Sequence, residues 1–91
     1  MVMTITEAIK EWNSSNRRMG CVAASEWFCK RVVGFWKIRI DRYTKEGDLY
    51  QHVVVTDGRM IIDLSPYSDN PKDYDVERDG EILHRTFRHG K

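Results

Sequence analysis

The sequence is poor in cysteine and has no long apolar run. Two cysteines in 91 residues exclude a disulfide-rich scaffold and predict a reduced, cytoplasmic globular domain. No apolar run reaches the roughly 18 residues that would cross a membrane, and residues 1–12 are polar and periodic, unlike a signal peptide. With 41% hydrophobic and 11% aromatic residues, the chain is too apolar for a disordered one. We therefore expect a single domain over residues 1–91.

The chain also has almost no excess of positive or negative charge, because its net charge is only +1. Residues 1–45 are basic and residues 46–91 are acidic, which predicts two complementary surfaces within one domain. Alternatively, a basic face binds an acidic partner, and its side chains would be Arg17, Arg18, Lys30 and Arg31. Without an overall basic balance or a known nucleic-acid module, nucleic acid is not an expected partner, and neither is a membrane.

Two helices are predicted in the first third of the chain. Thr4 or Thr6 can cap the first, with Glu7 completing a capping box after Thr4, and its apolar spacing ends near Asn13. The second begins near Gly20-Cys21 and ends at Gly34. At roughly 100° per residue, one broad face of this helix carries Cys21, Val22, Ser25, Phe28, Cys29, Val32 and Val33.

An alternation of period two replaces the helical pattern after residue 35. It predicts strands over residues 36–41, 49–56 and 59–64, joined by turns at Lys45–Asp48 and Asp57-Gly58. A polar loop then extends to about Tyr74, followed by a last strand or hairpin around Asp79-Gly80. The predicted class is α+β, with N-terminal helices packed on an antiparallel sheet.

The Asp57-Gly58 turn predicts a register and, with it, a pair of side chains. In a two-residue hairpin loop His52 directly opposes Asp63, so the imidazole and the carboxylate lie on the same side of the sheet. The same register places Val54 opposite Ile61 on that side, as an apolar floor for a helix. An imidazole oriented by a carboxylate is the arrangement that a general base needs.

A nucleophile for that base is present at the start of the second helix. Cys21 lies where unpaired backbone N–H groups favour a thiolate, and a backbone N–H there plus the Asn16 amide are candidates to bind an oxyanion. The simpler interpretations are a buried, inert Cys21 and a structural His52–Asp63 pair. Cys29, two turns into the helix, is expected to be a core residue. The order Cys, His, Asp favours a catalytic interpretation.

These segments resemble the papain-like and transglutaminase-like cysteine enzymes. Gly20-Cys21-Val22-Ala23-Ala24 through Gly34 is similar to their nucleophile helix, in which a Cys begins the helix and a Gly closes it before a strand. His52-Val53-Val54-Val55 and Asp63-Leu64-Ser65 are similar to their His and Asp strands. The resemblance spans about residues 16 to 66.

The resemblance implies a minimal papain-like fold and acyl-transfer chemistry on amides: peptide or isopeptide cleavage, glutamine deamidation, or crosslinking to an amine. Cys21 would be the nucleophile, His52 the base and Asp63 its orienting residue. No Trp follows Cys21 and no Gln occupies the usual oxyanion position, for which Asn16 is the candidate. Trp27 falls off the main helix face and is a candidate to shape a substrate groove. A protein or peptide substrate is the implied partner.

Other chemistries receive little support, and we expect no cofactor and no metal. Asp75, Glu77 and Asp79 partly match a calcium loop, but Thr86 stands where the bidentate Glu belongs. The two cysteines and the histidines lack the paired spacing of a zinc site. The short chain and its charge asymmetry leave one alternative to an enzyme, namely a non-catalytic binding or regulatory protein on the same scaffold.

Overall fold

Two helices followed by five strands make up the part of the chain that the computed structural model describes, which is residues 2–15, 20–44, 46–65 and 74–86. The α+β class with antiparallel strands is therefore confirmed. The elements are α1 (Ile5–Ser14), α2 (Cys21–Cys29), β1 (Trp36–Tyr43), β2 (Leu49–Thr56), β3 (Met60–Asp63), β4 (Tyr74–Arg78) and β5 (Glu81–Thr86).

Helix α1 begins and ends close to where its sequence predicts. Thr4 Oγ1 accepts the N–H of Glu7 at 3.1 Å, and Glu7 Oε1 accepts the N–H of Thr4 at 2.9 Å. This reciprocal capping box satisfies two N–H groups that the first turn leaves unpaired. Thr4, rather than Thr6, is the cap.

Helix α2 starts at Cys21 as predicted but ends a turn early. It stops at Cys29, and Gly34, with φ +92°, lies beyond it in a turn. The backbone N–H of Arg31 donates to the carbonyl of Phe28 at 3.0 Å, which is a three-residue step that tightens the last turn and ends α-helical geometry. Gly20 precedes the helix and gives no side-chain cap.

The five strands form one antiparallel sheet in the order β1-β2-β3-β4-β5. Strands β1 and β2 pair without interruption from Trp36 opposite Thr56 to Tyr43 opposite Leu49. Strands β4 and β5 are joined by Asp79-Gly80, whose φ angles are +52° and +84°. Positive φ at both central residues defines the two-residue hairpin turn that the Asp-Gly pair predicts.

The turn between β2 and β3 differs from its prediction. The observed pairs are Thr56 with Ile61 and Val55 with Ile62, so the predicted register was wrong by two residues. The reason is the Asp57 side chain, whose Oδ1 accepts the N–H groups of Arg59 at 3.0 Å and of Met60 at 2.7 Å. These bonds stabilise a longer Asx-type loop in place of the two-residue turn.

The helices pack on one face of the sheet, and it is not the predicted one. Val55 and Ile62 belong to the core that α1 and α2 cover, whereas Val54 is fully buried outside that core. Because strand residues alternate between faces, the predicted floor of Val54 and Ile61 lies on the opposite face. The core side chains are Ala8, Trp12, Ala24, Trp27, Phe28, Val32, Val55, Ile62, Leu64 and Tyr74.

None of the helices in the described ranges combines the length and the apolar character that a transmembrane helix requires.

Candidate functional site

The centre of the candidate site is a buried histidine–carboxylate pair. His52 Nε2 lies 2.7 Å from Asp63 Oδ1, and the two residues are 5% and 2% exposed. The predicted contact therefore forms although the predicted register does not. A shift of two residues preserves the face, so His52 and Asp63 become diagonal neighbours instead of opposed ones.

Asp63 is held by further partners besides the histidine. Its Oδ1 also accepts the backbone N–H of Ser65 at 3.1 Å, and its Oδ2 lies 3.9 Å from Nε of Arg42. A buried carboxylate needs such partners because its charge is poorly stabilised away from water. The orientation of the carboxylate toward His52 is thus fixed from both of its oxygens.

The geometry also determines which nitrogen of His52 is available for chemistry. When Asp63 is ionised and the imidazole is neutral, the 2.7 Å contact has Nε2–H as the donor and Oδ1 as the acceptor, because a carboxylate can only accept. Nδ1 then holds a lone pair, and it makes no hydrogen bond to any described residue. The Tyr50 ring meets the imidazole edge-on at 5.8 Å. The pair thus consists of a buried carboxylate and an imidazole whose Nε2 faces it, with Nδ1 on the other side of the ring.

Cys21 begins α2, one helical turn from a contact with β2. Ser25 Oγ donates to the carbonyl oxygen of Val53 at 3.3 Å. Cys21 and Ser25 are four residues apart and share a helix face. Val53 follows His52 directly in the chain, but consecutive strand side chains point to opposite faces, so the structure places Cys21 and the His52 imidazole on opposite sides of β2. Cys21 is half-buried and reduced, and within the described ranges no hydrogen bond joins its thiol to His52.

The second cysteine lies in a less favourable place for thiolate chemistry. Cys29 is half-buried and packs against the core at the end of α2. Burial raises the pKa of its thiol, partly opposed by the nearby Lys37 ammonium. Because the thiolate is the reactive form, Cys29 is expected to be a slow nucleophile at neutral pH.

The predicted role of Trp27 in shaping a substrate groove does not agree with its buried position. It is 5% exposed and its ring lies 5.5 Å from that of Trp12 in the core. Arg31 covers its other side, with the guanidinium carbon 4.4 Å from the ring centre. The indole was expected to miss the packed face, but α1 packs over it and encloses it. Trp27 is a core residue and lines no substrate groove.

The proposed basic face is only partly available to a partner. Arg31 donates to the carbonyl of Trp27 at 2.9 Å and lies 3.7 Å from Glu11, so it is engaged within the chain. Lys30 is exposed. Arg17 and Arg18 lie outside the described residues, as does the oxyanion candidate Asn16.

Three charged residues beside the pair were missed by the sequence interpretation. Arg42, Asp75 and Glu77 lie on the His52 face, where Arg42 Nη2 contacts Glu77 Oε2 at 3.3 Å and Asp75 opposes Asp63 across β3 and β4. The predicted first strand ended at residue 41, and continuing its alternation by one step would have placed Arg42 on this face with Trp36, Ile38 and Ile40. Glu77 and Asp75 required the β3–β4 pairing, which no short motif encodes.

The carboxyl group of Asp75 makes the stability of the fold depend on pH. Burial raises the pKa of its carboxyl, Asp63 opposite adds to the rise, and Arg85 at 3.2 Å opposes it. A folded-state pKa above the unfolded one means that stability from this group is present at low pH and is lost as pH rises through the folded value.

Replacing Asp75 by Asn therefore has an effect that depends on pH. Relative to wild type, the free energy of unfolding of Asp75→Asn is expected to increase as pH rises from about 3 to about 7, measured by urea unfolding. Asp57→Asn should show the opposite trend, because backbone N–H groups lower the pKa of Asp57. Parallel profiles for the two variants would contradict this account.

Within the described ranges, no group of three or more His, Cys, Asp or Glu side chains has a geometry that could hold a metal ion.

Comparison of the chain with protein-family models, curated proteins and solved structures gives no match.

Proposed function

We propose that this protein is a small cysteine-dependent hydrolase or acyl transferase that acts on an amide through Cys21, His52 and Asp63. The observation that carries the proposal is the 2.7 Å pair of His52 Nε2 and Asp63 Oδ1, which leaves Nδ1 as an oriented base. The resemblance to papain-like and transglutaminase-like enzymes supplies the reaction class. The substrate would be a peptide bond, an isopeptide bond or a glutamine side chain.

The reaction divides the work among the three residues. Nδ1 of His52 takes the proton of the Cys21 thiol, and the thiolate attacks the carbonyl carbon of the amide. When the C–N bond breaks, the His52 imidazolium returns the proton to the departing amine, and the acyl group stays on sulfur as a thioester. Water or an amine, deprotonated by Nδ1, then attacks the thioester and regenerates the thiol. Asp63 keeps the imidazole in one tautomer and stabilises its charged form.

The position of Cys21 supports this assignment. Cys21 stands at the N-terminus of α2, where backbone N–H groups stabilise a thiolate and a developing oxyanion. The Ser25–Val53 hydrogen bond holds the second turn of α2 against the backbone of β2, on the face opposite to the His52 side chain. Because α2 and the His52 imidazole lie on opposite faces of the sheet, the mechanism requires the start of α2 to move when a substrate binds, so that the thiol reaches Nδ1.

Acyl transfer to a p-nitrophenyl ester tests the proposal without a matched substrate. We expect wild type to release nitrophenolate with an acyl group on Cys21, detected by mass spectrometry. Cys21→Ala should abolish this acylation, while Cys29→Ala should leave it unchanged. A panel of a peptide, an isopeptide and a glutamine peptide then identifies the amide. Equal acylation in wild type and Cys21→Ala would contradict the proposal.

One observation favours a second function, a non-catalytic binding or regulatory protein on the same scaffold. His52 shares its face with Val54, whereas α2 packs on the Val55 face, and no thiol–imidazole hydrogen bond is present among the described residues. In that case the His52–Asp63 pair is structural. Cys21→Ser would then leave the biological effect intact, and binding to an acidic partner would weaken with salt. Loss of the effect in a folded Cys21→Ser variant contradicts this alternative.

A further inference from the structure

Arg42 links three strands on the face that carries the histidine–carboxylate pair. From β1, its Nη2 contacts Glu77 Oε2 on β4 at 3.3 Å, and its Nε lies 3.9 Å from Asp63 Oδ2 on β3. The side chains of Arg42, Asp63 and Glu77 are 32%, 3% and 17% exposed. Such partial burial strengthens an ion pair relative to an exposed one because the local dielectric is lower.

The contact with Glu77 depends on the curvature of the sheet. In a flat sheet, β1 and β4 would lie about 14 Å apart, three strand spacings of about 4.8 Å. A side-chain contact over that span requires that the sheet curl toward the Arg42 face. The burial of His52 and Val54 on this face, which neither described helix covers, agrees with such a curl. Arg42 therefore reaches Asp63 from across a concave surface.

The arrangement of carboxylates on this face makes Arg42 the cation that can offset the charge of Asp63. Asp75 on β4 opposes Asp63 directly, and its own carboxylate pairs with Arg85 of β5 at 3.2 Å. Two adjacent carboxylates repel each other, so the position of Asp63 depends on the cation nearest to it. Among the described residues, Arg42 is the Lys or Arg side chain paired with Asp63. Among the described residues, the His52 imidazole also contacts Asp63, and the Tyr50 ring packs edge-on against that imidazole.

We propose that Arg42 is a positioning residue, which holds Oδ2 of Asp63 so that Oδ1 faces Nε2 of His52 and Nδ1 stays unprotonated. Glu77 holds the guanidinium in place from β4. The catalytic meaning of this role rests on the proposed function, but the role itself is a property of the resting protein. A guanidinium suits it because its planar array of N–H groups can serve two carboxylates at once.

The tautomer of His52 measures this role without any substrate. Nitrogen-15 NMR of wild type at neutral pH should show one neutral tautomer, with the proton on Nε2. In Arg42→Gln we expect a mixture of tautomers and exchange of the Nε2 proton with water faster by about tenfold or more, because a buried carboxylate loses its partner in an ion pair. Arg59→Gln is the matched control, since Arg59 pairs with Asp79 in exposed turns at one end of the same sheet, and it should match wild type.

A second variant keeps the proposal open to refutation if Arg42→Gln does not fold. Glu77→Gln retains Arg42 but removes its anchor, and we expect a smaller change in the same direction. An unchanged tautomer and proton exchange in a folded Arg42→Gln, or in Glu77→Gln when Arg42→Gln is unfolded, would overturn the positioning role. A tautomer that depends on Arg42 in a protein without acyl transfer would support the positioning role and count against the proposed function alone.

Discussion

Replacing Asp63 by Asn is expected to lower the rate of Cys21 acylation by p-nitrophenyl esters on the order of 10²- to 10⁴-fold, the usual contribution of a general base. Asp63 Oδ1 accepts from both His52 Nε2 and the Ser65 N–H. An Asn that turns its NH₂ toward the imidazole forces Nε2 to accept, which moves the ring proton to Nδ1. The base is then blocked at the atom that must take the thiol proton.

The opposite orientation of the amide introduced by Asp63→Asn is also unfavourable. If the Asn oxygen faces His52, the NH₂ group points toward the Arg42 guanidinium, where Asp63 Oδ2 now lies at 3.9 Å, and two donors meet. Asp41→Asn, an exposed change on β1, is the matched control and should leave the rate unchanged. Equal rates in wild type and a folded Asp63→Asn variant would mean that the pair has no role in acyl transfer.

Replacing Phe28 by Ala is expected to destabilise the fold by about 3–5 kcal/mol, the usual cost of deleting a buried aromatic ring. Phe28 is fully buried, and its ring meets that of Phe35 edge-on at 5.2 Å. The loss combines the transfer free energy of the ring with a cavity between α2 and the sheet. The free energy of unfolding from urea titration, followed by tryptophan fluorescence, measures the effect.

Val33→Ala provides the comparison for the same segment of chain. Val33 is 76% exposed, so its truncation should change the free energy of unfolding by no more than about 0.5 kcal/mol. The sequence pattern placed Phe28 and Val33 on one helix face, whereas the structure separates them at the end of α2. Similar losses for the two variants would contradict the packing described here.

The predictable parts of the fold depend on local chemistry. The Thr4–Glu7 capping box set the start of α1, and Asp79-Gly80 set the last hairpin, because both features involve residues within a few positions of each other. The end of α2 was less predictable, since Val32 continues the apolar pattern after the helix has ended. Val32 is buried from the turn that follows α2 rather than from the helix itself.

The two Asp-Gly pairs show why register was harder to predict. Asp79 adopts a positive φ and forms the two-residue turn, while Asp57 uses its carboxylate to bind two N–H groups and lengthens the loop. The same dipeptide thus forms a two-residue turn in one place and a longer loop in the other, depending on the surrounding contacts. The His52–Asp63 contact was still predicted because a shift of two residues keeps both side chains on one face.

Long-range features escaped prediction for a different reason. The side of the sheet that the helices cover and the reach of Arg42 to Glu77 depend on how the sheet curls and pairs. Neither is encoded in a motif of a few residues. Trp27 illustrates the consequence: helical spacing placed it off the packed face of α2, but packing of α1 against α2 encloses it.

The pH profile of thiol alkylation tests the central claim most directly. Rates for Cys21 and Cys29 with iodoacetamide would be measured by mass spectrometry from about pH 5 to 9, a range that spans histidine and thiol titration, in wild type and in His52→Ala. We predict that Cys21 reacts faster than Cys29 at neutral pH, where burial keeps Cys29 in its thiol form, and that His52→Ala removes this advantage. Equal rates for the two cysteines, or a Cys21 rate unchanged by His52→Ala, would contradict activation of Cys21 by the His52–Asp63 pair.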